Sequence, residues 1–181
     1  MGLQLADIEK LFQSQGHIEY SGEGVTQLEH ALQAAHLAEK EEAPMELVTA
    51  AFLHDLGHLL NQQGETPSAR GIDDQHQYFA IPFLRPLFPP AVIEAIRLHV
   101  DAKRALCALE SEYYESLSED SKRSLTLQGG IFNREELAAF LAKPHAEGAM
   151  RVRRWDDAAK VPGAVTTPIG HYLGIAARCA V

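Results

Sequence analysis

Five consecutive residues, His54-Asp55-Leu56-Gly57-His58, place two imidazoles and a carboxylate inside an otherwise apolar run from Leu47 to Leu60. Neutral imidazole and carboxylate are the ligands that divalent iron, manganese or zinc take. A carboxylate removed from water stays charged only against a metal or another cation. Further candidates recur along the chain: His30, the His54-Asp55 doublet, His76 and His99, at intervals of 24, 22 and 23 residues. Each interval is about one helix plus one connection, so successive helices can aim these side chains at one centre, as in other helical metalloproteins. Taken singly, each histidine reads more simply as a hydrogen-bonded core or surface residue; the joint spacing does not. His17, His36, His145 and His171 have no partner at a comparable spacing and read as non-ligands.

The elements that must position these groups are helices. Apolar residues recur at spacings of three and four, and few stretches alternate as strands do, so the expected fold is all-α with strand content close to nothing. The spacing predicts a first helix from about Leu5 to Phe12, stopping before Gly16. A second begins near Val25, carries His30, and sets Leu28, Ala31, Leu32 and Ala35 on one face. Pro44 opens a third, in which Leu47, Ala51, His54 and His58 share one stripe and Val48, Phe52, Asp55 and Leu59 the adjoining one, so both members of the doublet face inward. Residues 61 to 73, rich in Gln, Gly, Pro and Ser, read as a functional loop, with His76 just beyond it at a helix start prepared by Asp73 and Asp74. Pro89-Pro90 begins a helix on which Val92, Ile96, His99 and Lys103 follow along one side, so a histidine and a lysine face the same space.

Ser118, with acids behind it, starts a helix over 119–127, and Asn133 with Glu136 makes a capping box; Gln128-Gly129-Gly130 separates the two. The last helical stretches cover about 146 to 160 and 170 to 179. The former places Val152, Asp156 and Ala159 on one face, with Arg153 beside Asp156 and Trp155 as a core anchor.

Composition narrows the function classes. A chain of 181 residues, 46% hydrophobic and 23% charged, fits one globular domain. With a net charge of −9 and no basic block longer than Arg153-Arg154, it offers no footprint for nucleic acid or an anionic membrane, so an anionic substrate must be held by a few placed cations. The apolar runs are too interrupted to cross a bilayer and no basic segment followed by an apolar one opens the sequence, so a cytoplasmic protein, monomer or weak homo-oligomer, is expected. Cys107 and Cys179 fall in no C-x-x-C pattern and read as reduced thiols.

The His-Asp-x-Gly-His signature and these spacings resemble the HD-domain superfamily, all-helical metal-dependent enzymes best known as phosphohydrolases, from about Tyr20 to Asp156. Stretches outside the doublet narrow the resemblance: Tyr20-Ser-Gly-Glu23 with Gln27-Leu-Glu-His30, Leu53-His-Asp-Leu-Gly-His58, Gln75-His76, His99-Val-Asp-Ala-Lys103-Arg104, Gln128-Gly-Gly130 and Arg154-Trp-Asp156. They are similar to the mixed-valent diiron oxygenases that include myo-inositol oxygenase and the phosphonate-cleaving PhnZ type, more closely to the latter. The resemblance implies a single HD domain over residues 1–181, a helical bundle with a dinuclear metal site at its centre.

It further implies that His30, His54 and Asp156 bind one iron, His76 and His99 the other, and Asp55 bridges them. His58, Lys103, Ser121 and Arg153 match positions that hold the phosphonate; two cations, a hydroxyl and an imidazole suit a dianion. Tyr20 and Glu23 match a gate in which the tyrosine occupies an iron before substrate arrives and the glutamate meets an amino group on the substrate. Read without the family, Lys103 and Arg153 fit solvated face charges beside Asp101 and Asp157, Ser121 a helix start after Ser118, Tyr20 a packing aromatic and Glu23 a surface acid.

The implied reaction uses a mixed-valent Fe(II)/Fe(III) pair and dioxygen to split the C–P bond of a 1-hydroxyalkylphosphonate into inorganic phosphate and a carboxylic acid, with no nicotinamide or flavin. Candidate substrates are 2-amino-1-hydroxyethylphosphonate, its trimethylammonio analogue and hydroxymethylphosphonate. The rival enzyme is an HD-family metal-dependent phosphohydrolase acting on a phosphoester or nucleotide; the non-enzymatic rival is a helical module sensing a small anion.

Overall fold

Local chemistry sets most helix boundaries in the computed structural model, which describes residues 2–61 and 66–181. Helix α1 (Leu5–Gln15) opens on a reciprocal Gln4–Asp7 cap and closes at Gly16. Helix α2 (Gln27–Lys40) opens on a Thr26–Glu29 capping box. The Tyr20–Val25 turn before it folds back through a lone bridge between Glu19 and Thr26, with Ser21, Gly22 and Gly24 at positive φ. No other strand pairing exists among the described residues.

Helix α3 (Met45–Leu53) follows Pro44, and α4 spans Leu56–Asn61. The stripe expected to run through the doublet is therefore split at His54 and Asp55. The His54 imidazole itself bonds the Ala51 carbonyl at 2.7 Å, competing for the acceptor that a helical ladder assigns to the Asp55 N–H. The two halves also answer to different neighbours: α3 packs against α2 and the later helices Pro90–Leu109 and Ile169–Cys179, whereas α4 packs against the short helix His76–Phe79. Of the loop expected over 61 to 73, positions 62–65 lie outside the described residues, and Pro67–Arg70 form a 3-10 turn whose Ser68 hydroxyl donates to Asp120.

Two short helices, α5 (His76–Phe79) and α6 (Ile81–Leu84), lead to α7 (Pro90–Leu109), which starts on Pro89-Pro90 as expected. After α8 (Tyr113–Ser116), Ser118 caps α9 (Glu119–Leu127), and Asn133 with Glu136 caps α10 (Arg134–Leu141); such caps each contribute about 1 kcal/mol. Helices α11 (Ala146–Ala158) and α12 (Ile169–Cys179) complete the bundle.

Helix α7 runs along α11, and α3 lies among α2, α7, α11 and α12. The main core joins Phe12, Phe52, Leu53, Val92, Ile96, Val152, Trp155 and Tyr172. Each such side chain contributes roughly 1.5–3 kcal/mol by leaving water. This packing fixes the axes of α2, α3, α7 and α11, the four elements that carry or flank His30, His54, His99 and Asp156. None of the described helices is long and apolar enough to cross a membrane. Cys107 and Cys179 are free and buried.

Candidate active site

His30, His54, Asp55 and Asp156 converge from α2, the α3–α4 break and α11; Asp55, His76 and His99 converge from the break, α5 and α7. The two clusters share Asp55, and its two oxygens divide between them. Oδ2 lies 3.4 Å from Nε2 of both His30 and His54; Oδ1 lies 3.2 Å from Nε2 of His76 and 3.6 Å from that of His99. Asp156 Oδ1 is 3.3 Å from His30 Nε2 and 3.7 Å from His54 Nε2. All six residues are buried.

The donor set fits metal. Nδ1 of His30 donates to the Ala159 carbonyl at 2.8 Å, that of His54 to Ala51 at 2.7 Å and that of His99 to Ile96 at 2.7 Å, while His76 Nδ1 meets Asp74 Oδ1 at 2.9 Å. With every Nδ1 hydrogen committed, each Nε2 presents a lone pair when its ring is neutral. These lone pairs face one another, His30 to His54 at 3.1 Å and His76 to His99 at 3.2 Å, and both buried oxygens of Asp55 accept no hydrogen bond among the described residues. Lone pairs opposed to lone pairs and to an orphaned carboxylate call for a cation between them.

Protonation follows the same demand. Burial would depress the His54 imidazole, yet Asp55 and Asp156 carry it up to about 10, and His76 rises to about 9 against burial through Asp55 and Asp74. Burial brings His99 down to about 4 despite Asp55. Burial works against ionised Asp55 too, but the surrounding imidazoles hold its carboxyl well below the usual range. Protons thus supply positive charge that bound metal displaces.

Beside the metal cluster lies a pocket whose wall includes Tyr20, His58, Lys103, Ser121, Arg153 and Asp156. Lys103 is 1% exposed and, among the described residues, bonds only neutral oxygens, Ser124 Oγ at 2.7 Å and the Ser121 carbonyl at 3.4 Å. Burial, with Arg153 nearby, lowers its ammonium to about 7. Arg153 pairs with Asp156 at 2.8 Å and with Asp157, and its buried Nε has no hydrogen-bond partner among the described residues. His58 Nδ1 lies 2.5 Å from Asp74 Oδ2. The Tyr20 ring stacks on His30 at 3.9 Å between centroids, and its hydroxyl reaches Asp156 Oδ1 at 3.5 Å. Burial and the two aspartates keep that phenol protonated, its pKa well above the ordinary value.

A sequence model of the HD domain matches residues 27–128. The chain belongs to the HD-domain family. It is 44% identical over 172 residues to the hydroxymethylphosphonate dioxygenase of Gimesia maris, a match covering 94% of this chain and 85% of that one. It is 38% identical over 168 residues to the 1-hydroxy-2-(trimethylamino)ethylphosphonate dioxygenase (glycine-betaine-forming) of Leisingera caerulea, covering 93% and 86%. An uncharacterised protein of Acanthamoeba polyphaga mimivirus is 34% identical over 171 residues, covering 93% and 78%.

In this HD-domain protein the six residues expected to bind metal stand together, and His58, Lys103, Ser121 and Arg153 stand around one adjoining pocket. Lys103 and Arg153 are buried, not solvated face charges. Ser121 does both things its position allows: its N–H closes the Ser118 cap at 3.2 Å, and its side chain lines the pocket. Glu23 is paired with Lys160 at 3.4 Å. His171 and His36 lie away from the cluster, against Glu39 and Tyr172.

Three polar residues escaped the sequence reading. Asp74, taken for part of a helix start, joins the Nδ1 atoms of His58 and His76; its spacing of two from His76 was the available signal. Ser124 follows Ser121 by three and shares its helix face. Lys160 falls at the end of the helix expected over about 146 to 160, but α11 stops at Ala158, so helical spacing does not give the direction of its side chain.

Proposed function

We propose that this chain is an oxygenase that uses dioxygen to cleave the C–P bond of a 1-hydroxyalkylphosphonate, releasing inorganic phosphate and a carboxylic acid, with residues 1–181 acting as one HD domain. The observation that carries it is the division of Asp55 between two imidazole pairs beside a buried ammonium that lacks a carboxylate partner among the described residues. Two similar proteins named as phosphonate dioxygenases support this reading over a phosphohydrolase.

In this reading His30, His54 and Asp156 would hold one iron and His76 and His99 the other, with Asp55 between them. When bound, a mixed-valent Fe(II)/Fe(III) pair supplies the oxidising chemistry with dioxygen, the four electrons coming from the substrate. The chain's own residues bind and orient. Lys103 and the Ser121 hydroxyl meet the phosphonate, His58 adds an imidazole held by Asp74, and Arg153 lends charge while fixing Asp156. Tyr20 lies over His30 as a stopper that excludes water, and the positive-φ residues around it give the turn a conformation few side chains favour. Glu23, on the same turn and paired with Lys160 at 3.4 Å, is the residue that would meet an amino group on the substrate.

The test is oxygen consumption and phosphate release by the iron-loaded protein with hydroxymethylphosphonate, 2-amino-1-hydroxyethylphosphonate, its trimethylammonio analogue and a set of phosphoesters. Oxygen-dependent phosphate release from a 1-hydroxyphosphonate is expected. Phosphate release from an ester without oxygen would make the protein a hydrolase.

A further inference from the structure

Lys160 stands just past α11, and the backbone on either side of it is fixed. The Ala159 carbonyl accepts from His30 Nδ1 at 2.8 Å; the Gln33 amide holds Val161 through both main-chain groups, at 2.9 and 3.0 Å. Between these anchors the Lys160 side chain, 11% exposed, meets three acceptors: Ser121 Oγ at 3.3 Å, Ser118 Oγ at 3.4 Å and Glu23 Oε1 at 3.4 Å. An ammonium has three N–H donors, so this set matches its capacity. Its nitrogen also lies 5.6 Å from the centroid of the Tyr20 ring.

Ser121 is approached by a second cation, since Arg153 Nη2 is 3.5 Å from the same Oγ. A hydroxyl offers two lone pairs and one hydrogen. With cationic N–H groups aimed at both lone pairs, the hydrogen is the remaining valence, and Ser121 lines the pocket shared by Lys103 and Arg153.

We propose that Lys160 is a positioning residue of the anion pocket: by donating to Ser121 Oγ it makes the Ser121 hydroxyl a fixed hydrogen-bond donor to the bound phosphonate. Its contact with Glu23 ties the Tyr20–Val25 turn to the start of α9 at the same point. The inference rests on the anion-binding part of the proposed function and is independent of the oxidation.

The test is calorimetric titration of the purified protein with inorganic phosphate under argon, where no turnover occurs. Lys160→Met is expected to weaken phosphate binding roughly tenfold, the scale of one charge-assisted hydrogen bond. In a Ser121→Ala background the same substitution is expected to cost less than about twofold, because the link through which it acts is gone. Glu23→Gln removes the carboxylate that competes for the ammonium and is expected to tighten phosphate binding, a reading that stands even if Lys160→Met fails to fold. Equal losses in both backgrounds, an unchanged affinity in Lys160→Met, or weaker binding in Glu23→Gln overturns the inference. A wild-type protein that does not bind phosphate overturns the anion-site reading and this inference with it; phosphate binding without oxygen consumption removes only the oxygenase.

Discussion

Gly57 packs directly on the backbone of His76: a methyl group on its Cα would lie 2.0 Å from the His76 carbonyl oxygen and 2.7 Å from the carbonyl carbon. Neither atom can yield as the tip of a flexible side chain can, so Gly57→Ala must push α5 away from α4. The expected result is a loss of about 1–3 kcal/mol in stability together with loss of metal from the His76–His99 side. Thermal melting and metal analysis check this, and a variant that keeps full metal content would show that the contact does not set His76.

Asp74 holds two imidazoles at once, His58 at 2.5 Å and His76 at 2.9 Å. Burial works against its ionisation, but both imidazoles keep it well below the usual carboxylate range. Asp74→Asn removes the charge and frees one ring. Metal affinity at the His76 side is expected to fall about 10- to 100-fold, the usual cost of losing a partner behind a ligand. Titration with Fe(II) in the absence of air measures it.

Substitutions at Asp55 and Lys103 are expected to separate metal from anion. Asp55→Ala should lose iron and activity together. Lys103→Ala should keep its iron and raise KM for the phosphonate by one to two orders of magnitude, as expected of a lost charged contact worth about 1.5–3 kcal/mol. Full activity in Asp55→Ala would sink the metal assignment.

Lys103 also predicts a pH dependence. Its ammonium titrates at about 7 in the free protein, and a dianion binds its protonated form. Affinity is therefore fully developed below that pH and falls as pH rises through it, by up to about tenfold per unit. Ionisation of the phosphonate itself acts in the opposite sense, so the comparison is with Lys103→Arg, whose guanidinium stays charged. The ratio of wild-type to variant KM is expected to climb between about pH 7 and 9; a flat ratio counts against Lys103 as the anion contact.

Chelation should lower stability, because it leaves protons alone to offset the buried Asp55 and Asp156 carboxylates among the four imidazoles. Metal at 100 times its Kd stabilises by about 2.7 kcal/mol, so stripping it is expected to reduce Tm by roughly 5–10 °C for a chain of this size. Calorimetry with and without chelator reads the difference directly.

Much of the fold was legible because its signals are local. Ser118 and the Asn133–Glu136 pair start their helices, and Pro90 opens α7, as their side-chain chemistry dictates. The inward stripe of His99 and Lys103 follows from helical spacing alone. The break at the doublet was not legible, since apolar periodicity runs through it; it arises from the His54 ring taking the Ala51 carbonyl and from α4 finding its own partner in α5. Asp74 and Lys160 escaped for a related reason. Their roles come from groups distant in sequence, Asp74 meeting an imidazole across the α4–α5 contact and Lys160 meeting a hydroxyl 39 residues earlier.

The break between α3 and α4 has a consequence for the order of loading. His30 and Asp156 stand on α2 and α11 and His54 at the end of α3, all three helices packed in the main core, whereas His76 stands on a four-residue helix that leans on α4 and α7. The first position would be ready-made and the second assembled only as its metal arrives. Filling would then be sequential, with the inner position occupied first, and a chelator would strip the two in reverse.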